Sequence, residues 1–81
     1  MYYVYFLKST KNNDLYIGSC ENLDIRFKQH NDGKVRSTQF YRPWELLGHE
    51  IYESRSEAVR QERFLKSHQQ KDILKRKFGL K

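Results

Sequence analysis

An α+β fold, a small three-stranded antiparallel sheet flanked by helices in the order ββαβαα, is predicted by three observations. Two runs rich in aromatic and β-branched residues, YYVYFLK and LYIGSC, flank the turn cluster STKNND, which is the pattern of a β-hairpin. A third run, WELLGHEIYE, reads as another strand. Between and after these runs, apolar residues recur at helical spacing behind residues that can cap a helix.

Taken in order, residues 2–8 form the first strand and LYIGSC the second, so residues 2–20 make the hairpin. Asn22 can cap the first helix, because its side-chain oxygen accepts from an unpaired first-turn amide. Leu23, Phe27 and His30 then fall at i, i+4 and i+7 on one helical face. Gly33 is a natural stop, since glycine takes the left-handed conformation cheaply. Residues 33–43, GKVRSTQFYRP, read as a basic loop. In the third strand Gly48 suggests a bulge. Ser54 or Ser56 caps a second helix over about residues 56–67, and HQQKDILKRKFG reads as a third helix ending near Gly79. The whole span, 1–81, is expected to be one domain.

The charge points to a partner class. There are 16 Lys and Arg against 10 Asp and Glu, a formal charge of +6. A small basic domain suits a polyanion, most often nucleic acid. Aromatics make up 15 % of the chain, too many for a disordered segment. A domain of this size buries roughly 60–65 % of its surface, which favours an open groove over an enclosed pocket. No apolar run approaches the ~18 residues of a membrane span. MYYVYFLKST lacks the features of a secretory signal, so the cytoplasm is the expected compartment. Cys20 is the single cysteine, which excludes an internal disulfide and a Cys/His zinc pattern.

Five residues could carry chemistry. Tyr5 and Tyr16 share a face of the hairpin if its turn holds an even number of unpaired residues, such as Lys11-Asn12. Arg26 and His30 are four apart and so neighbours on a helix surface; a planar guanidinium suits phosphate oxygens. Glu62 lies on the inward stripe of the second helix with Ala58 and Leu65, where an unpaired carboxylate is costly. Two explanations are open: a structural bridge to Arg26, or a place at a groove edge holding a hard divalent cation. Magnesium often takes one or two carboxylates and completes its shell with water and phosphate.

Together these residues resemble the GIY-YIG nuclease superfamily. Its first motif is similar to Tyr3-Val4-Tyr5 and its second to Tyr16-Ile17-Gly18. Arg26 and His30 follow in LDIRFKQHN, and Glu62 lies in SEAVRQERFLK, which resembles the family's downstream glutamate helix. Tyr3 departs from the glycine common at that place. The resemblance spans essentially the whole chain. It implies a stand-alone metal-dependent endonuclease hydrolysing phosphodiester bonds, DNA favoured over RNA, with a role in repair or recombination. It further implies Tyr5, Tyr16, Arg26, His30 and Glu62 as catalytic residues, Glu62 as the ligand of Mg2+ or Mn2+, and Gly18 as a structural motif residue. In this reading a tyrosine orients and deprotonates the water, and His30 relays a proton at a reference pKa near ~6.5. Lys34, Arg36 and Arg42 in the loop, and Lys66, Lys71, Lys75 and Arg76 near the last helices, are candidate contacts to the phosphate backbone. A protein partner or a homodimer could supply further specificity. The alternatives are a non-catalytic nucleic-acid-binding module of the same fold, or a protein-interaction domain with Trp44 and Tyr41 as exposed anchors; packing of both under the loop is the expectation preferred to exposure.

Overall fold

The aromatic and aliphatic run YYVYFLKS forms β1 (Tyr2–Ser9), whose pleat sends Tyr3, Tyr5 and Leu7 to one face and Val4 and Phe6 to the other. The structure, a computed structural model, describes residues 1–80; the expected boundary at residue 81 lies outside them. β2 (Leu15–Cys20) and β3 (Trp44–Tyr52) pair antiparallel with β1, giving the strand order β2-β1-β3. Helices α1 (Leu23–Asn31), α2 (Arg55–Leu65) and α3 (His68–Lys77) complete the predicted ββαβαα order.

The hairpin turn is longer than a two-residue Lys11-Asn12 turn. Ser9 donates its amide to the Asp14 carbonyl at 2.9 Å, which leaves four residues, 10–13, between them. Asn13 takes the left-handed conformation, φ 61°, which asparagine tolerates better than most residues. The count is still even, so the two tyrosines share a face. A bulge interrupts the β1–β3 ladder: Phe6 pairs with Gly48 and Leu7 with Leu46, leaving Leu47 as the extra residue. That insertion changes the phase of β3, so that Trp44 and His49, five residues apart, pair with Ser9 and Tyr5 on the same face.

Two cores result. Val4, Phe6, Leu15 and Ile17 meet Ala58 and Leu65 of α2 and Leu74 of α3 on one face. On the other, Tyr5, Leu7 and Trp44 meet Leu23 and Phe27 of α1. The helices begin and end for local reasons. The Asn22 side chain accepts from the Ile25 amide, and α1 closes with Gly33 at φ +77°. Of the two candidate serines, Ser54 caps α2, accepting from the Glu57 amide, so the helix starts at Arg55 rather than 56. The segment 33–43 is not a plain solvated loop. It contains a 3-10 turn at Gln39–Tyr41, and Val35 and Thr38 are buried. Among the described residues, no helix is long and apolar enough to cross a membrane.

Candidate active site

Register builds the first part of the site. Tyr5 pairs with Gly18 and Leu7 with Tyr16, so both phenols project from one face, two residues out of step. Their ring centroids are 6.2 Å apart. The Tyr5 hydroxyl lies directly over Gly18. A Cβ built there would sit 2.5 Å from that oxygen, closer than any contact allows. Gly18 is therefore required by close approach and not by backbone conformation.

α1 lays Arg26 and His30 over this face. His30 is fully buried, with Nε2 2.8 Å from the Tyr5 hydroxyl and Nδ1 2.8 Å from the Thr38 hydroxyl. Thr38 donates in turn to the Val35 carbonyl at 3.3 Å. Burial, with the Arg26 charge adding to it, pushes the imidazole down to about 4. His30 is thus neutral near pH 7, its titration displaced well below the reference value of ~6.5. Burial also raises Tyr5 well above the ordinary phenol range, with Tyr16 adding to the rise and Arg26 opposing it. Tyr5 keeps its proton. Arg26 is half-buried and donates to the Gln29 side-chain oxygen at 3.2 Å.

Glu62 stands on the other side of β2. Ser19 alternates with Gly18 and Cys20, so it faces α2, and its hydroxyl donates to Glu62 Oε1. The Lys66 ammonium holds Glu62 Oε2 at 2.6 Å and lies 5.8 Å from the centroid of the Tyr16 ring. Because β2 is an edge strand, Lys66 can wrap around that edge and join the two groups. The bridge from Glu62 to Arg26, one of the two explanations open from the sequence, is not formed: Glu62 is satisfied by Lys66 and Ser19. As a metal centre the donor set is thin. Among the described residues no three His, Cys, Asp or Glu side chains converge. One carboxylate beside one hydroxyl fits a hard ion that keeps most of its waters and takes phosphate oxygens for the remainder. It does not fit a closed all-protein cage.

The basic residues divide. Lys34, Arg36 and Arg42 lie in the segment that also brings Thr38 to His30, and Arg42 packs its guanidinium over Gly33. Lys66 is already engaged with Glu62. Lys71, Lys75 and Arg76 are on α3, which packs Leu74 and Phe78 against the Val4–Phe6 face; the structure does not bring them to Tyr5 and His30. Trp44 is not an exposed anchor. It is buried, its indole N–H donates to the Thr38 carbonyl at 3.0 Å, and Asn31 pairs with its backbone N–H and C=O. Tyr41 stays 44 % exposed, so the preferred expectation that both pack holds for Trp44 alone. Sequence reasoning missed Ser19 and Thr38, and it read Lys66 only as a backbone contact. Strand alternation could have set Ser19 opposite Tyr16, and the i, i+4 spacing could have paired Lys66 with Glu62. Nothing periodic marks Thr38.

Comparison with known proteins places this geometry among relatives. The family model described as the GIY-YIG catalytic domain matches residues 1–77. A UPF0213 protein of Staphylococcus haemolyticus is 39 % identical over 75 residues, covering 91 % of this chain and 90 % of that protein. A UPF0213 protein of Staphylococcus epidermidis is 33 % identical over the same coverage. The solution NMR structure of a UPF0213 protein from Bacillus halodurans superposes with a TM-score of 0.55 at 33 % identity, covering 91 % of this chain and 82 % of that one.

Proposed function

The chain belongs to the family of GIY-YIG catalytic domains, a nuclease-type family, and from that premise we propose that it is a metal-dependent endonuclease acting in the cytoplasm as a single domain on DNA in preference to RNA. One observation carries this reading: two polar clusters, Arg26–Tyr5–His30 and Ser19–Glu62–Lys66, flank the free edge of β2 with Tyr16 between them. A phosphodiester laid along that edge meets a guanidinium, an ammonium, two phenols and a carboxylate.

Arg26 binds a non-bridging phosphate oxygen through its planar fork. The Tyr5 hydroxyl, 2.8 Å from His30 Nε2, keeps lone pairs that can accept a hydrogen bond from the attacking water. The water oxygen bonds phosphorus as the opposite P–O ester bond breaks; the water's proton passes to Tyr5 while Tyr5's own proton passes to His30 Nε2 at 2.8 Å, and the leaving oxygen takes a proton from solvent. This relay suits a buried, protonated Tyr5 better than a free phenolate does. Tyr16, half-buried at the edge, orients the water or the phosphate. With Lys66 paired to a neighbouring phosphate, Glu62 and Ser19 would be the residues to hold Mg2+ or Mn2+. When bound, such an ion neutralises charge developing on the phosphoryl oxygens. Lys34, Arg36 and Arg42 extend the contact along the backbone of the nucleic acid.

The test is incubation with single-stranded, duplex and branched DNA and RNA, with magnesium or manganese, beside Glu62→Gln. The parent is expected to cut, and Glu62→Gln to keep its melting transition while losing metal-dependent cleavage. Equal cutting by both would make Glu62 a structural partner of Ser19 and Lys66. Binding measured in calcium should weaken as salt rises, log affinity falling by roughly 0.9 per phosphate neutralised on duplex DNA. A flat response removes phosphate contact from the reading.

A further inference from the structure

We infer that Thr38 is a positioning residue: its hydroxyl holds His30 in the Nδ1–H tautomer and so commits the Tyr5 proton to His30 Nε2. The inference rests on the proposed function only for its kinetic consequence; the tautomer is a property of the folded chain.

The argument is a count of donors and acceptors. Neutral imidazole has one N–H and one bare nitrogen. Thr38 Oγ1 lies 2.8 Å from Nδ1 and 3.3 Å from the Val35 carbonyl. The Val35 carbonyl gives the Thr38 proton a place to go, which leaves Thr38 able to accept from His30; the Tyr5 end of the chain fixes the direction. Nδ1 then carries the proton, Nε2 is bare, and the Tyr5 hydroxyl at 2.8 Å donates to it. The Arg26 charge lies near enough to act on the same Tyr5 hydroxyl. Every group in the chain is satisfied in this direction. The opposite direction would aim the imidazole N–H at the Tyr5 oxygen. The buried phenol proton would then have no acceptor within the network, a costly outcome.

Thr38 is itself held. Its amide donates to Val35 at 3.1 Å, and its carbonyl accepts from the Trp44 indole at 3.0 Å. Thr38 and His30 are 1 % and 0 % exposed, so water does not substitute for the hydroxyl. The segment between α1 and β3 therefore does more than carry positive charge: it sets the direction of the hydrogen bond on which the relay depends.

The test compares the parent with Thr38→Val and Thr38→Ser. Side-chain 15N spectra of His30 in the full chain should show a protonated Nδ1 and a bare Nε2 in the parent and in Thr38→Ser. In Thr38→Val they should show a shift toward the Nε2–H form. With a cleavable substrate, Thr38→Val should lower the single-turnover rate at least tenfold with little change in binding measured in calcium, and Thr38→Ser should restore most of it. An Nε2–H tautomer in the parent overturns the inference, whether or not the variants fold. So does a Thr38→Val protein that keeps the Nδ1–H form. If the tautomers behave as expected and no substrate is cut, Thr38 keeps its positioning role and the nuclease reading is what fails.

Discussion

The two faces of the sheet are built from the same strands, yet they are held by different physics. On the α2–α3 face, Val4, Phe6, Leu15, Ile17, Ala58, Leu65 and Leu74 bury apolar surface with no polar atom among their side chains. On the α1 face, Tyr5, His30, Thr38 and Ser9 are equally buried, and each hydroxyl or ring nitrogen has a named partner. Apolar burial is non-directional and tolerates repacking. A buried polar chain tolerates little, because a lost partner strands a donor or an acceptor. One face should therefore answer substitution with stability, the other with geometry and chemistry.

The largest effect that would break this contrast is on the apolar face. Phe6 is buried and lies 5.6 Å from the Phe78 ring centroid. Phe6→Ala should cost about 3–5 kcal/mol, read as a drop in the urea midpoint, while whatever remains folded keeps the His30 tautomer. A loss under about 1 kcal/mol would mean that this face is not the principal core.

Next comes the polar face. Arg26→Ala should slow single-turnover cleavage ~100–1,000-fold, as about 2.7–4 kcal/mol of lost transition-state stabilisation implies. Binding in calcium should change far less. Arg26→Lys should recover only part of the rate, having the charge without the planar fork. Equal losses of affinity in both variants, at an unchanged rate, would reduce Arg26 to a phosphate contact.

A pH titration sharpens the comparison without mutation. His30 is held near 4 in the fold against about 6.5 when unfolded. The unfolded chain therefore binds the extra proton first as pH falls. Stability from this group is complete above about 6.5 and is lost progressively down to about 4, by at most about 3 kcal/mol. His30→Gln should flatten that limb in denaturant melts at pH 7, 5.5 and 4.5. The relay predicts the same direction for rate: free-enzyme kcat/KM should persist below pH 6 and fall only as His30 charges. An acid limb centred near 6.5 would place His30 in solvent.

The smallest effect tests a site outside both faces. Ser54 caps α2, the helix that carries Glu62. Ser54→Ala should cost about 1 kcal/mol in a thermal melt, without moving the pH limb or the tautomer. A change in either would mean that the start of α2 is coupled to the polar face.

Much of this molecule was legible in 81 residues because the signals are local. Aromatic and β-branched runs in YYVYFLK and LYIGSC, on either side of a turn cluster, assigned the strands. Asn22 and Ser54 marked helix starts, and Gly33 a stop. The motif residues Tyr5, Tyr16, Gly18, Arg26 and Glu62 stood at recognisable spacings. An even-numbered turn was enough to put both tyrosines on one face. Tertiary structure alone decided how those residues are used. Whether His30 titrates near 6.5 or near 4 depends on desolvation by α1 and the 33–43 segment, which no spacing encodes. Whether Glu62 meets Arg26 or Lys66 depends on which face of β2 the second helix covers, and that follows from the strand order. Thr38 had no sequence mark, because a hydrogen bond between residues eight apart across a non-repeating turn leaves no period. Helix and strand periods report which way a side chain points along its own element; which proton faces which lone pair is settled only when separate elements close on one another and exclude water.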